Sequence, residues 1–144
     1  MSNVHVGAVR SLRSVMGWIC SMLPSETVKI VVFVPETHAE VVREAMGKAG
    51  AGKIGNYSCC TFSSKGIGRF KPEQGAHPSV GRVGEMPSVN EERIETVCPR
   101  NKLEEVVKAI QAVHPYEEVA LDIYSLDGYR SIDSEEQAKA VEKK

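Results

Sequence analysis

The feature that most constrains the fold of this 144-residue chain is an internal repeat with an offset of 64 residues, the separation of Pro35 and Pro99. In each copy a proline ends a predicted strand and a helical apolar pattern follows. We therefore predict a duplicated strand–helix–strand unit. The same offset aligns four further pairs: Glu40 with Glu104, Val42 with Val106, Ala45 with Ala109, and Met46 with Ile110.

The first copy begins with residues 28–34, a β-branched apolar run typical of a buried strand. Thr37 and Glu40 match the T-x-x-E capping box, so we predict that a helix starts there. The glycines that follow the apolar helical pattern are expected to end this helix. Residues 56–63, NYSCCTFS, are predicted as the second strand, and the Gly-rich stretch up to Gly84 as a long loop.

The second copy repeats this order. Residues 93–97 alternate as a strand, and Asn101 with Glu104 is predicted to cap the second helix. Residues 119–126 are predicted as the last strand. The apolar face of the helix consists of Leu103, Val106, Val107, Ala109, Ile110 and Val113.

Two such units side by side predict an α+β fold, the ferredoxin-like βαββαβ sandwich, with a four-stranded antiparallel sheet and two helices on one face. The other sheet face then has no helical cover. Either the N-terminal segment or another subunit is expected to cover it, and we therefore predict a homo-oligomer.

The chain is predicted to have one domain, residues 27–126, with an extension on each side. Residues 1–26 admit three interpretations: a docked helix, a basic and Ser-rich presequence, or a mis-assigned start with translation from Met22. Residues 127–144 form a charged tail, for which a solvated or frayed helix is expected.

Composition limits the partners and the compartment. A net charge of −1 favours neither nucleic acid nor an anionic membrane, and we predict binding to neither. The four cysteines include no C-x-x-C pair, so no zinc ribbon or thioredoxin-type site is indicated. Reduced thiols are typical of the cytoplasm, which is the predicted location.

Three segments together resemble a known family. They are GAGKIGNYSCCTFSSKGIGRFKPEQGAHPSVGRVGE, ERIETVCP and AVHPYEEVALDIYSL. In this order they are similar to the PII/CutA-like domain inserted in Nif-three-like proteins, the GTP cyclohydrolase type-two homologues. The resemblance covers about residues 28–126.

This resemblance implies a ferredoxin-like domain related to the trimeric PII and CutA proteins, so a homotrimer is expected by analogy. It also implies that the metal-binding residues of the larger family lie in two flanking halves, which this sequence lacks. The four histidines form no H-x-H or H-x-x-x-H pair that could replace them. We therefore expect a binding module rather than an enzyme.

The segment His114-Pro115-Tyr116-Glu117-Glu118, which we call the HPYEE corner, is the sharpest local candidate for a site. Imidazole and carboxylates are ordinary ligands of divalent cations, so His114, Glu117 and Glu118 are predicted metal ligands, with His77 as a fourth. Tyr116 is a predicted ligand-binding residue. The structural alternative is that the histidine complements the helix dipole and the tyrosine caps the core.

The Gly-rich stretch contributes a second candidate set. Lys65, Arg69 and Lys71 lie among glycines, whose backbone N–H groups can approach an anion closely, so a phosphate or nucleotide site is one prediction. Glycines that serve only a turn-rich hairpin are the alternative. In PII relatives the corresponding loop binds effectors and partners, which favours the first interpretation by analogy.

Three functions remain at this point. The first is a non-catalytic regulatory module that binds a ligand or a metal at the cleft between the loop and the HPYEE corner. The second is a metal-assisted hydrolase that combines the corner with His77 of another subunit. The third is a structural module that binds only proteins. A divalent metal ion is the one cofactor that the residues suggest.

Overall fold

The structure is a computed structural model that describes residues 26–126. Two helices pack on one face of a four-stranded sheet, and the element order is βαββαβ as predicted. The elements are β1 (Thr27–Pro35), α1 (Ala39–Lys48), β2 (Phe62–Arg69), β3 (Ser88–Pro99), α2 (Leu103–Val113) and β4 (Leu121–Ser125).

The sheet order is β2-β3-β1-β4, and every neighbouring pair is antiparallel. Strand β1 is central, with Ile30 opposite Thr96 of β3 and opposite Ile123 of β4. Strands β2 and β4 lie at the two edges of this sheet. The arrangement is the predicted ferredoxin-like sandwich.

The 64-residue repeat has a direct structural counterpart. Pro35 ends β1 and Pro99 ends β3, and each proline is followed by a three-residue 3-10 turn and then a helix. The helices bury equivalent positions, since Val42 and Met46 in α1 and their repeat mates in α2 are all fully buried. Each buried side chain of this size stabilises the fold by about 1.5–3 kcal/mol, so the repeat identifies the core.

The predicted capping boxes are wrong. Neither helix has a side-chain cap: α1 begins after His38 and α2 after Lys102, with no capping hydrogen bond from either residue. The preceding 3-10 turns shift both helix starts past the predicted caps. The predicted glycine stop is correct, because Gly50 at φ 101° closes α1 while the Ala51 N–H donates to the Met46 carbonyl at 3.0 Å.

The second strand also differs from the prediction of residues 56–63. Cys59 has φ 56°, a left-handed conformation that interrupts extended backbone, and the Cys60 N–H donates to the Gly52 carbonyl at 3.0 Å. Strand β2 instead runs through the glycines of the predicted loop. Among the strands of residues 26–126 it pairs only with β3, and glycine in a strand often marks the close approach of another group.

The core lies between the helices and the β1–β3 pair, where Val32, Ile94 and Cys98 are fully buried. The opposite face of the sheet, which we call the open face, carries an ion pair between Lys29 Nζ and Glu95 Oε2 at 3.0 Å. Phe62 lies opposite Glu95 on this face and is 69% exposed.

No helix within residues 26–126 is long and apolar enough to cross a membrane. The predictions for residues 1–25 and 127–144, namely the presequence or docked helix and the charged tail, lie outside the described residues.

Candidate functional site

A cavity of about 450 Å³ lies between the HPYEE corner and the loop that joins β2 to β3, residues 70–87. This is within the range of cavities that hold small organic ligands. The cavity floor includes Phe33 of the central strand. Its charged lining residues are Arg69, Lys71, Glu73, Glu91, Glu117 and Glu118.

His114 fixes the corner to the sheet. It lies between Val113, the last residue of α2, and Pro115, and a residue before proline favours the extended backbone seen here, φ −74° and ψ 136°. The ring is buried, and its Nε2 lies 2.9 Å from the carbonyl oxygen of Phe33. Strand β4 begins at Leu121, which lies opposite Val32 of β1. The Phe33 carbonyl lies just beyond this pairing, and the imidazole occupies the place of a β4 partner there.

The hydrogen bonds determine the tautomer of His114. The backbone N–H of Tyr116 donates to Nδ1 at 3.1 Å, so the ring proton lies on Nε2 and is donated to Phe33. Burial lowers the pKa of His114, partly offset by the bond to Phe33 and by the nearby Glu91 carboxylate. With both nitrogens engaged, the neutral ring orients the corner and offers no lone pair to a metal ion.

Tyr116 forms one wall of the cavity. Its ring makes edge contacts with Phe70, at a centroid distance of 5.6 Å, and with His114, at 5.2 Å. Its hydroxyl donates to Glu91 Oε1 at 2.9 Å. Burial and, second, the bond to Glu91 raise the pKa of Tyr116, so it remains a hydrogen-bond donor at neutral pH.

Glu91 is a site residue that the sequence analysis missed. It lies on β3, it is only 9% exposed, and it lines both the main cavity and a second cavity of about 350 Å³ over the open face. In sequence it is one charged residue of an alternating strand, and such residues are usually solvated. The burial of Glu91 depends on contacts with Gly68 and Tyr116, which are more than 20 positions away in sequence.

The loop is held against the corner by Glu117. The backbone N–H of His77 donates to Glu117 Oε1 at 2.8 Å, and the His77 Nδ1 lies 3.7 Å from Oε2. Within the loop, the Gly84 N–H donates to the Pro72 carbonyl at 2.9 Å. The loop therefore folds back on the corner, as the metal hypothesis required of His77.

The predicted site residues separate into two groups. Arg69, Lys71, Tyr116, Glu117 and Glu118 line the main cavity together. The other three do not line this cavity. The buried His114 ring is hydrogen-bonded to the Phe33 carbonyl, and the exposed His77 ring lies near Glu117. Lys65 pairs with Glu36 Oε1 at 3.1 Å. Within residues 26–126, no three or more His, Cys, Asp or Glu side chains are grouped to hold a metal ion.

Comparisons with known proteins agree with this architecture. No family model matches the chain. A Halalkalibacterium halodurans protein named GTP cyclohydrolase 1 type 2 homolog is 55% identical over 98 residues, which are 68% of this chain and 26% of that protein. A Bacillus cereus protein related to NIF3 matches with a TM-score of 0.64 and 52% identity, over 75% of this chain and 28% of that one. CutA from Xylella fastidiosa matches with a TM-score of 0.56 and 13% identity, over 74% and 88% of the two chains, which is a likeness of fold alone.

The sheet order and these neighbours show that residues 26–126 form a domain with the ferredoxin-like fold that CutA proteins share. By sequence, the chain is a homologue of the NIF3-related proteins named GTP cyclohydrolase 1 type 2 homolog. The chain spans about a quarter of the length of these relatives.

Proposed function

We propose that this domain is a non-catalytic regulatory module that binds a small ligand in the main cavity and assembles with copies of itself. The observation that carries the proposal is the fixed wall of the cavity. His114, Tyr116 and Glu117 bond to β1, to β3 and to the loop, so three separate parts of the fold hold the cavity open before any ligand arrives. Such preorganisation lowers the entropic cost of binding.

The chemistry of the lining supports binding more than catalysis. Acyl or glycosyl transfer needs a nucleophile with a base beside it, or two carboxylates aimed at one bond. Ser79 is the one hydroxyl or thiol nucleophile among the lining residues besides the phenol of Tyr116, and no histidine lines the cavity. The hydrolase alternative would also require His114 to release its bonds to Phe33 and Tyr116.

Assembly is supported by the edge strand β2. All of its residues are exposed except Gly68, and it carries the apolar Phe62 and Ile67 at 69% and 65% exposure. An edge strand with exposed apolar side chains offers unpaired backbone groups and apolar surface to a second chain. A second copy over β2 and the open face would bury Phe62, and a trimer remains the prediction by analogy.

Regulation would follow from the position of the cavity relative to this edge. Arg69 ends β2 and also lines the cavity, and Gly68 lies against Glu91. A ligand that moves the loop would therefore act on the strand that we propose to lie at the subunit interface. This coupling is the regulatory step of the proposal.

Metal binding and the compartment stay predictions. A divalent ion would need Glu117 and Glu118 of one subunit with donors from another, because residues 26–126 do not assemble a complete set of ligands. Cys59, Cys60 and Cys98 are free thiols, which fits the predicted cytoplasm.

The experiment that tests the ligand site is a fragment screen by two-dimensional NMR on the isotope-labelled chain. Binding should shift the amides of the loop, of Gly68 and of the corner. Ala76→Phe fills the cavity from the loop and should abolish these shifts, whereas Ala112→Phe, at an exposed position of α2, should preserve them. No binding fragment, or shifts confined to other surfaces, would contradict the proposal.

A further inference from the structure

We infer that the ligand of the main cavity is a small organic cation, an ammonium or guanidinium group on an apolar body, and that Glu91 binds the charged group. This inference rests on the proposed function and specifies the chemical class of its ligand. It follows from one unpaired carboxylate oxygen of a largely buried residue, from the glycine beside it, and from the aromatic residues that line the same cavity.

One oxygen of Glu91 has a partner and the other has none. Oε1 accepts the hydroxyl of Tyr116, whereas Oε2 has no hydrogen-bond or ion-pair partner within residues 26–126. No fully buried side-chain oxygen of these residues lacks a partner, so Oε2 is accessible to solvent. The side chain is nine-tenths buried and lines the cavity. A cation in the cavity would therefore find an accessible, unpaired carboxylate oxygen on a side chain that is otherwise shielded from water, where a charge-assisted hydrogen bond is stronger than in bulk solvent.

Gly68 makes room for this carboxylate. A Cβ atom at position 68 would overlap Glu91 Oε2, whereas a Cβ at Gly66 would meet nothing within 4 Å. The carboxylate thus lies flat against the backbone of β2. A glycine at this one point of the strand keeps Oε2 at the cavity wall, and any other residue would displace it.

The rest of the lining fits an apolar cation. Phe33, Phe70 and Tyr116 line the cavity together with Glu91, and aromatic faces attract ammonium and guanidinium groups. Four glutamates and two basic residues line the cavity, so its formal charge is negative. Neither Arg69 nor Lys71 pairs with Glu91, and Lys71 lies 4.0 Å from Glu73 instead.

Three probes of similar shape and different charge test whether the cavity prefers a cation to a neutral or an anionic ligand. They are phenethylamine, the neutral phenethyl alcohol and the anionic hydrocinnamate. NMR titration of the unmodified chain should show that the amine binds at least about tenfold tighter than the alcohol, as charge-assisted hydrogen bonds require. Hydrocinnamate should bind more weakly still. If the alcohol or the anion binds in the cavity as tightly as the amine, the ligand site stands and the cation inference fails. If no probe binds, both proposals fail.

Paired variants test the role of Glu91 itself. Glu91→Gln keeps the shape and the bond to Tyr116 but should lower amine affinity by about tenfold to a hundredfold. Glu73→Gln, at an exposed lining position, should lower it by less than about fivefold. Gly68→Ala should displace the carboxylate and weaken amine binding, whereas Gly66→Ala should not. Equal amine affinity in the Glu91→Gln and Glu73→Gln proteins would overturn the assignment, as would equal affinity in the two glycine variants.

Discussion

The hydroxyl of Tyr116 donates a hydrogen bond to Glu91 Oε1 at 2.9 Å, and this bond joins the corner after α2 to strand β3. It links a side chain of the HPYEE corner to a side chain of the sheet, in addition to the bond from His114 to the Phe33 carbonyl. Tyr116 also makes a ring contact with Phe70, so this one side chain connects the segment after α2 both to β3 and to the loop after β2.

The first prediction concerns this bond. Tyr116→Phe keeps the ring contacts and leaves Glu91 buried without its donor, so the free energy of unfolding should fall by about 1–3 kcal/mol. Tyr124→Phe is the control, because Tyr124 is 49% exposed on β4. Urea unfolding measures both variants. Equal stabilities for the two would mean that the bond to Glu91 contributes nothing.

The second prediction is a pH dependence from His114. Burial lowers the pKa of this residue in the folded protein, so the unfolded chain binds a proton first as the pH falls. The associated stability is complete above the unfolded pKa of about 6.5, and it is lost as the pH falls from there through the lowered folded pKa. The slope from one ring is at most about 1.4 kcal/mol per pH unit.

Urea unfolding between about pH 7.5 and 5.5 checks this slope. His114→Gln should flatten it. A slope that survives in His114→Gln would assign the pH dependence to other groups.

The third prediction concerns the loop. Glu117→Ala removes the acceptor of the His77 N–H, so the loop should open more often and its amides should exchange faster with solvent. Glu118→Ala is matched, since Glu118 also lines the cavity but bonds to no loop residue within 26–126. Hydrogen exchange by mass spectrometry distinguishes them, and identical loop exchange in both variants would show that Glu117 does not hold the loop.

The fourth prediction concerns assembly. Phe62→Lys places a charge on the open face where we propose that a neighbouring subunit packs, so light scattering after size exclusion should show a smaller particle than for the unmodified chain. Val41→Lys, on an exposed face of α1, should not change the mass. A monomeric unmodified chain would contradict the proposed assembly outright.

The fold was predictable from the sequence because the repeat and its prolines mark where each strand ends, and the apolar helical positions mark which residues are buried. Val42, Met46, Val106 and Ile110 are fully buried as the pattern requires. The resemblance of the three quoted segments to the Nif-three-like family is confirmed by the relatives.

Strand β2 was not predicted because one of its glycines, Gly68, serves a tertiary contact. Gly68 lies in a strand since Glu91, 23 positions later, occupies the space of a side chain, and no local pattern encodes that. The capping boxes failed for a related reason, because the 3-10 turns after Pro35 and Pro99 move each helix start beyond the capping residue.

The candidate site was predicted in part. The corner and the loop do converge, and their sequence composition indicated a site in both. The burial of Glu91 depends on Gly68 of β2, and the hydrogen bond from His114 Nε2 depends on the Phe33 carbonyl of β1. Both contacts join residues that are distant in sequence, so the sequence alone does not predict them.

The most direct test of the account is a crystal structure of the chain grown with phenethylamine. We predict density for the amine in the main cavity, with its nitrogen within hydrogen-bond distance of Glu91 Oε2 and its ring beside Phe70 and Tyr116. An empty cavity at saturating amine, or an amine bound only on another surface, would contradict the claim that this cavity is the ligand site.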